Sequence, residues 1–179
     1  MNKSEIRKKI LKIRQENSPN SQEINIVNIL KILKKNKSIK KIVGGYYPYN
    51  YEIDAIKILD KLEKLGYQIS LPKIKKKFKM NFFSWSLKDP LLINKYGIPE
   101  PTSDKIVYPN ILLVPLVAYD SNLNRIGYGG GFYDRYIKKI KMKNNILTIG
   151  LAYSFQKVRQ VPTNKYDIKL DFIVNDKEK

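Results

Sequence analysis

Apolar residues recur along this chain at two spacings, one typical of amphipathic helices and one typical of buried strands. A spacing of three to four residues predicts helices over residues 4–16, 22–36, 52–65 and 132–140. We expect Ser4 to cap the first helix, because a serine hydroxyl can accept a hydrogen bond from the helix's unpaired N–H groups. The predicted inward-facing side chains of the first three helices are Ile6, Ile10, Ile13, Val27, Leu30, Leu33, Ile53, Ile56, Leu59 and Leu62.

Short apolar runs between the helices predict strands, and their order predicts how the strands pair. The segments 39–47 and 67–71 flank the third helix, which Gly66 ends as a C′ glycine. A strand, a helix and a strand within about 30 residues form a βαβ unit, so these strands pair in parallel. The nearly continuous apolar run 111–119 is typical of a strand buried on both faces. Further strands are predicted near residues 78–85, 146–152 and 171–174, and a turn at 96–101.

This order of elements predicts the fold class and the domain organisation. We expect a single α/β domain across residues 1–179, with a mostly parallel twisted sheet flanked by helices. No run of 18 apolar residues occurs, so we expect no membrane span. The first residues lack the apolar stretch of a secretory signal, so we expect a cytoplasmic protein, and we expect a monomer.

The composition restricts the chemistry that is available. The chain contains no cysteine and no histidine, which excludes disulfides, thiolate catalysis and the most common general base. Carboxylates, Lys, Arg, Tyr, backbone dipoles or a hard metal ion must therefore carry any catalysis.

The net charge of +19 is compatible with a nucleic-acid partner. Lysine supplies most of the 35 basic residues, and the chain shows neither an RNP-type aromatic pattern nor a helix-turn-helix signature. We therefore favour solvated lysine-rich faces over a nucleic-acid surface, and a basic RNA-binding module remains an alternative.

A glycine-rich segment carries the strongest local signal for chemistry. It reads Arg125-Ile-Gly-Tyr-Gly-Gly-Gly-Phe-Tyr-Asp-Arg135 and lies between a predicted strand and a predicted helix. Glycines allow positive φ and let the backbone approach a ligand closely. Successive N–H groups at a helix N-terminus then form an anion site, and a phosphate chain suits it best. A plain flexible turn is the simpler alternative.

Three related motifs fail on spacing. Walker A requires Lys-Ser or Lys-Thr after the glycines, and neither follows here. The dinucleotide motif, started at Gly127, requires a glycine where Phe132 stands. The segment from Asp120 imitates the start of an EF-hand, but its sixth position is Arg125 and its twelfth is Gly131 rather than glutamate.

The run NRIGYGGGFYDRY closely resembles the signature loop of 5-formyltetrahydrofolate cyclo-ligases (methenyltetrahydrofolate synthetases). The resemblance extends over nearly the whole chain and in order: Lys-x-x-x-Arg from Lys3, YYPYNYEID, Leu-Pro at 71–72, GIPEP at 97–101, LLVPLVAYD, IGLAYSFQ and VPTNKYDIKLDFIV. It implies the ribose-isomerase-like α/β fold. It also implies an ATP- and Mg²⁺-dependent conversion of 5-formyltetrahydrofolate to 5,10-methenyltetrahydrofolate.

The resemblance also implies a role for each matching residue. The implied ATP contacts are Lys3, Arg7, Arg125, Ile126, Gly127, Tyr128, Gly129, Gly130, Gly131, Phe132 and Tyr133. The implied folate contacts are Tyr47, Glu52 and the loop residues Tyr128, Gly129, Gly130, Gly131 and Phe132. The implied magnesium ligands are Asp134 and Asp167, and the implied catalytic residues are Arg125 and Tyr133.

Simpler structural roles remain open for the charged residues. Lys3, Arg7 and Arg14 fall within about 40° of arc on one edge of the first helix, and such an edge is ordinarily solvated. The resemblance favours phosphate binding for Lys3 and Arg7 but leaves Arg14 on a solvated edge. Glu52 and Asp134 each lie near a helix start, where a carboxylate also complements the helix dipole.

Alternatives also remain for the role of the aromatic residues and for the class of reaction. Phe82, Phe83 and Trp85 either line a folate pocket or belong to the core, and stacking by Tyr96 is open. A sugar-phosphate isomerase or transferase on the same fold is the alternative enzyme. ATP consumption that depends on folate separates the favoured reaction from this enzyme and from an RNA-binding module.

Overall fold

Four α-helices form close to the predicted positions in the part of the chain that the computed structural model describes, residues 1–17, 23–36, 40–75 and 79–177. They are α1 (Lys3–Glu16), α2 (Ile26–Lys35), α3 (Ala55–Lys64) and α4 (Phe132–Lys141). None of these helices is long and apolar enough to cross a membrane.

Eleven strands are present in the described residues, several of them only two or three residues long. They are β1 (Ile42–Gly44), β2 (Gln68–Lys75), β3 (Lys79–Ser84), β4 (Leu91–Ile93), β5 (Pro99–Pro101), β6 (Ile106–Val107), β7 (Ile111–Pro115), β8 (Ala118–Tyr119), β9 (Arg125–Ile126), β10 (Leu147–Ala152) and β11 (Phe172–Asn175).

Seven of the strands form one sheet in the order β11-β10-β7-β1-β2-β3-β6. The pairs β11–β10, β10–β7, β7–β1 and β1–β2 are parallel, and β2–β3 and β3–β6 are antiparallel. The predicted parallel pairing across the third helix is therefore confirmed. The α/β fold class, with a mostly parallel sheet flanked by helices, is confirmed as well.

The core lies on both faces of this sheet. Ile111 and Leu113 of β7 pack with α2 and α3, whereas Leu112 and Val114 pack with α4 on the opposite face. This alternation explains the continuous apolar run, because successive side chains of a strand point to opposite faces. The first helix packs separately, with its isoleucines against the small β8–β9 hairpin. A cavity-forming change such as Leu59→Ala is expected to cost about 2–5 kcal/mol, since that side chain is fully buried.

Two details of the predicted helices are wrong. Asn2, not Ser4, caps α1, and it forms a capping box with Glu5 that also satisfies its own N–H group. Val27 of α2 is 47% exposed, and Ile29 is buried instead, because Ile29 and Leu33 lie four residues apart on the face that packs against the sheet. The predicted start at residue 22 lies outside the described residues.

The third helix is shorter than predicted, but its end is confirmed. Asp54 accepts from the first N–H groups of α3, so the helix begins at Ala55 rather than at 52. Of the predicted inward set, Leu59 and Leu62 are buried in the helix. Gly66 has φ +81°, and the hydrogen bonds that follow α3 form a Schellman motif.

Two strand predictions need correction. Residues 99–101 are a strand that pairs with β4, not a turn, because proline is tolerated on the edge of a two-stranded ribbon. The run 111–119 is interrupted after Pro115, and its end pairs with β9 in a separate hairpin. The predicted first strand is shorter, Ile42–Gly44, and its predicted start at 39 lies outside the described residues.

Candidate active site

One cavity of about 900 Å³ opens at the carboxyl ends of β1 and β7. Tyr46 and Tyr47, which follow β1, and Pro115, the last residue of β7, line it. The chain continues from β1 towards β2 on one side and from β7 towards β10 on the other, so the cavity lies where the strand order reverses. Ligand sites of open α/β sheets usually occupy this position.

The fold brings every predicted site residue to the wall of this cavity. They come from four separate parts of the chain: α1, the segment after β1, the glycine loop with the start of α4, and the segment before β11. They are Lys3, Arg7, Tyr47, Glu52, Arg125, Ile126, Gly127, Tyr128, Gly129, Gly130, Gly131, Phe132, Tyr133, Asp134 and Asp167.

The glycine loop, residues 127–131, connects β9 to α4 and forms one end of the cavity. Gly129 has φ +103° and Gly131 has φ +64°, conformations that L side chains rarely adopt. Gly131 is the N-cap of α4 and supplies no side-chain hydrogen bond to the helix. An anion at this end would accept hydrogen bonds from loop and helix N–H groups and would interact favourably with the helix dipole.

Four cationic side chains lie around the loop, and each is held by a group of the protein. The Lys3 ammonium donates to Asp167 at 2.5 Å, and Arg7 Nε donates to the Gly127 carbonyl oxygen at 2.8 Å. Arg125 Nη1 donates to Asp134 at 3.0 Å and to a backbone carbonyl oxygen at 2.8 Å. Arg135, which was not among the predicted site residues, donates to the Gly130 carbonyl oxygen at 2.6 Å, so Arg7 of α1 and Arg135 of α4 both hold the glycine loop.

The two predicted metal ligands lie close together although they are distant in sequence. The Asp134 carboxylate accepts from the Ile168 N–H at 3.1 Å, directly beside Asp167. Among the described residues, no three acidic side chains cluster tightly enough to form a metal cage made of protein alone. Mg²⁺ commonly takes one or two carboxylates and fills its remaining positions with phosphate oxygens and water. The donor set therefore fits an Mg²⁺ ion that is shared with a phosphate ligand.

Glu52 lines the same cavity and lies close to the side chains of Tyr128 and Tyr133. Its side chain is buried, and burial raises its pKa from 4.5 to about 7. The Tyr49 N–H donates to the carboxylate at 3.0 Å, and Arg14 and the Tyr128 hydroxyl also stabilise the charged form. A largely desolvated carboxylate with few protein donors is suited to accept N–H groups of a ligand.

Buried tyrosines line the same region. Burial raises the pKa of Tyr133 well above its usual range, and the nearby Glu52 charge raises it further. Burial and Glu52 act in the same direction on the pKa of Tyr46. Both phenols are therefore neutral at pH 7, so Tyr133, the predicted catalytic tyrosine, can donate a hydrogen bond but cannot serve as a base.

One prediction about a charged residue is wrong. Arg14 is not on a solvated edge: it is 1% exposed and donates to the Leu116 carbonyl oxygen at 2.6 Å and to the Tyr128 hydroxyl at 2.9 Å. The sequence did contain one indication of this burial: Arg14 lies on the same helical edge as Lys3 and Arg7, and both of those residues contact the active-site segments. The β4–β5 hairpin, which also lines the cavity, was missed because its prolines were interpreted as a turn.

The structure separates the aromatic residues into two groups. Phe82, Phe83 and Trp85 are buried in the core and are absent from the cavity lining, so the core alternative holds for them. Tyr96 does line the cavity and is 47% exposed. The segment from Asp120 is a structural turn, because that carboxylate accepts backbone N–H groups of Asn122, Asn124 and Val161.

Comparison with known proteins gives consistent results. Residues 1–176 match the model of the 5-formyltetrahydrofolate cyclo-ligase family. The 5-formyltetrahydrofolate cyclo-ligase of Haemophilus influenzae is 33% identical over 137 residues, which are 73% of this chain and 73% of that protein. The Escherichia coli protein of the same name is 30% identical over 139 residues, 74% of this chain and 76% of its own.

Two solved structures share the fold. The NMR structure of Aquifex aeolicus 5,10-methenyltetrahydrofolate synthetase superimposes with a TM-score of 0.80 and 31% identity, covering 99% of this chain and 91% of that chain. A 5,10-methenyltetrahydrofolate synthetase from Mycoplasma pneumoniae gives a TM-score of 0.76 at 23% identity, covering 99% of this chain and 100% of that one. With a family match along almost its entire length, this chain belongs to the 5-formyltetrahydrofolate cyclo-ligase family and is an enzyme of the ligase class.

Proposed function

We propose that this protein closes the ring of 5-formyltetrahydrofolate to give 5,10-methenyltetrahydrofolate, with ATP as the phosphoryl donor and Mg²⁺ as the cofactor. The observation that carries the proposal is that two different binding features line one cavity. One is a cationic glycine loop at a helix N-terminus, and the other is a buried carboxylate, Glu52. The loop suits a triphosphate, and the carboxylate suits a heterocycle with N–H donors.

The lining of the cavity supports two adjacent ligands of different chemistry. Apolar side chains, among them Pro72, Ile74, Met80 and Ile98, line the cavity together with the cationic residues of the glycine loop. We assign the phosphates to Lys3, Arg7, Arg125 and residues 126–133, and the folate to Tyr47, Glu52 and residues 128–132.

The proposed reaction needs no covalent intermediate with the protein. The formyl oxygen attacks the γ-phosphorus of ATP, and ADP leaves with the electrons of the broken P–O bond. The N10 lone pair then attacks the activated formyl carbon, N10 loses its proton, and the C–O bond breaks to release phosphate. No atom changes its oxidation state. This chemistry suits a chain without histidine or cysteine, since alignment and charge stabilisation carry most of it.

Each residue near the glycine loop has a defined task in this scheme. Arg125 stabilises negative charge on the phosphoryl group during transfer, and Tyr133 donates a hydrogen bond from its neutral hydroxyl. Asp134 and Asp167 would hold Mg²⁺, which when bound supplies charge neutralisation for the phosphates. Lys3 and Arg7 fix the phosphate chain from the side of α1.

The reaction also favours a cytoplasmic enzyme, because ATP and reduced folates are cytoplasmic metabolites. We also propose that the enzyme is a monomer.

A direct assay tests the proposal. Purified protein is mixed with ATP, Mg²⁺ and 5-formyltetrahydrofolate, and the methenyl product is followed by its absorbance together with ADP release. We expect product only when all three are present, with one ADP per methenyl group. ATP hydrolysis that proceeds equally without folate would contradict the proposal. Sugar-phosphate isomerisation or tight RNA binding without folate turnover would support the corresponding alternative.

A further inference from the structure

Arg14 lies behind the glycine loop rather than in the cavity. It is in the last turn of α1, it is 1% exposed, and its two terminal nitrogens contact the Leu116 carbonyl oxygen and the Tyr128 hydroxyl. Its Nε is buried and has no hydrogen-bond partner among the described residues. A guanidinium is always protonated and is costly to bury, so this position calls for an explanation beyond packing.

The negative charge that compensates Arg14 is Glu52, and Tyr128 lies between them. Arg14 donates to two neutral oxygens, yet it also interacts electrostatically with Glu52 and lowers the pKa of that carboxyl. The Tyr128 hydroxyl accepts from Arg14, donates to the Tyr49 carbonyl oxygen at 3.3 Å, and lies close enough to Glu52 to lower the pKa of the Glu52 carboxyl as well. One phenol thus connects a buried cation with a buried anion.

The backbone in front of Glu52 is strained, which is an independent sign that its position matters. Asn50 has φ +47° and Tyr51 has φ +57°, both in the left-handed region that non-glycine residues rarely adopt. The Glu52 N–H donates to the Tyr49 carbonyl oxygen at 3.2 Å, and this closes a tight turn. Strained turns persist where surrounding contacts hold them, and they concentrate at functional sites.

Tyr128 supplies such a contact. Its ring packs edge-on against the ring of Tyr49, with centroids 5.8 Å apart, and its hydroxyl approaches the backbone of the same turn. The glycine loop and the Glu52 turn are therefore connected through a single side chain. Arg14 fixes the hydroxyl of that side chain from the protein interior.

We propose that Arg14 is a positioning residue, which acts through the Tyr128 hydroxyl to hold the glycine loop against the Tyr49–Glu52 turn and to keep the Glu52 carboxylate directed into the cavity. The inference rests on the proposed function only in naming the ligand, a heterocycle whose N–H groups Glu52 receives. It adds that the glycine loop and the Glu52 turn are mechanically coupled by Tyr128.

A titration of Glu52 tests the inference without any substrate. Carboxyl ¹³C NMR of glutamate-labelled protein reports its midpoint, and Glu52→Gln assigns the signal. We expect a midpoint near pH 7 in the parent. It should move to higher pH in Arg14→Met and in Tyr128→Phe, because each change removes a group that stabilises the carboxylate. The charged and titratable groups that interact electrostatically with Glu52 are Arg14, Tyr46, Tyr128, Tyr133 and Tyr153.

Matched controls separate positioning from a general loss of charge or of a hydroxyl group. Arg159→Met removes an exposed arginine, and Tyr108→Phe removes the hydroxyl of a tyrosine that is 55% exposed. Both should leave the Glu52 midpoint where it is in the parent. If Arg14→Met does not fold, Arg14→Lys retains the cation, and Tyr128→Phe alone still decides the outcome, with folding checked by circular dichroism.

Kinetics then test whether Arg14 acts through Tyr128. Each single variant should raise the folate KM about threefold to tenfold, the range expected for one lost hydrogen bond, and the ATP KM should rise with it, because Tyr128 also holds the glycine loop. The double variant should be no worse than Arg14→Met alone, because two residues of one connection are non-additive. Additive effects, or an unchanged Glu52 midpoint in both single variants, would overturn the inference. A parent without methenyl-forming activity would instead overturn the proposed function, and the NMR result would stand.

Discussion

The Lys3 ammonium lies 2.5 Å from the Asp167 carboxylate, a contact between residues 164 positions apart in the chain. A second pair, Arg125 with Asp134, lines the same cavity. In the proposed reaction the two cations turn to phosphate and the two carboxylates turn to Mg²⁺. The cations and the carboxylates are therefore paired with each other before a ligand binds. ATP and Mg²⁺ must replace these ion pairs with contacts of their own.

If ATP and Mg²⁺ replace these ion pairs, Asp167→Asn should make ATP binding less dependent on Mg²⁺. In the parent, we expect ATP to bind about tenfold more weakly in EDTA than with Mg²⁺, because Lys3 stays engaged with Asp167. In Asp167→Asn, Lys3 is released, so ATP binding in EDTA should strengthen while Mg²⁺-dependent turnover falls. Calorimetric ATP affinities with and without Mg²⁺ measure both effects. Asp104→Asn removes a carboxylate that is 93% exposed and serves as the control; an equal response of the two variants would contradict this replacement of the ion pairs.

The cations of α1 predict a salt-dependent loss of ATP affinity. Lys3→Ala combined with Arg7→Ala should raise the ATP KM, and the loss should shrink as salt screens the parent's advantage. The matched control is Lys8→Ala with Lys9→Ala, which removes two exposed cations from the same helix. Folate binding without nucleotide should change little in either double variant. Identical ATP KM values for parent and Lys3/Arg7 variant at low and moderate salt would remove these residues from the site.

Substitution of two glycines with similar positive φ angles should have different effects on ATP binding, because only one of them lies in the glycine loop. Gly129→Val should abolish ATP binding, because a β-branched side chain opposes φ +103° and crowds the Arg7 guanidinium, which lies 3.6 Å from a Cβ placed there. Gly66→Val imposes comparable strain at φ +81°, but Gly66 follows α3 and is absent from the cavity lining. Both variants should lose thermal stability, and only the first should lose ATP. ATP binding by Gly129→Val with parental affinity would mean that the loop is only a turn.

Glu52 predicts a selective effect on the folate. Glu52→Gln should raise the folate KM by about ten- to a hundredfold, since a charge-assisted hydrogen bond contributes roughly 1.5–3 kcal/mol, and the ATP KM should change far less. The parent's kcat/KM for folate should fall below pH 7, where the carboxylate becomes protonated. The variant should lack that limb of the pH profile. Steady-state constants for both substrates between pH 5.5 and 8.5, about the range set by that pKa, decide the matter.

Glu52→Gln should lower activity but raise the stability of the folded protein at high pH. Its pKa is raised from 4.5 to about 7 in the folded state, so folding favours the protonated form. The associated stabilisation is present below about pH 4.5 and is lost as the pH rises through 7, a difference of about 3 kcal/mol. Glu52→Gln should therefore be more stable than the parent at pH 8, and the difference should vanish near pH 4.5. Denaturant unfolding at both pH values measures it.

The sequence predicts much of this molecule because two strong local signals coincide with the final structure. The apolar run of β7 can be satisfied only between two layers of helices, and the glycines at 129 and 131 occupy positive φ that other residues avoid. Prediction fails where the environment of a side chain depends on residues that are distant in the sequence. The burial of Arg14 depends on Leu116 and Tyr128, more than a hundred residues away, and no local pattern encodes that.

The contacts between α1 and residues 116–167 have a consequence for the synthesis of the protein. A nascent chain carries Lys3, Arg7 and Arg14 from the beginning, but the groups that receive them are translated far later. At roughly 5–20 residues per second, α1 waits on the order of five to thirty seconds for these partners. Nucleotide affinity therefore arises only when nearly the whole fold is complete, so a truncated or half-folded chain should not sequester ATP in the cell.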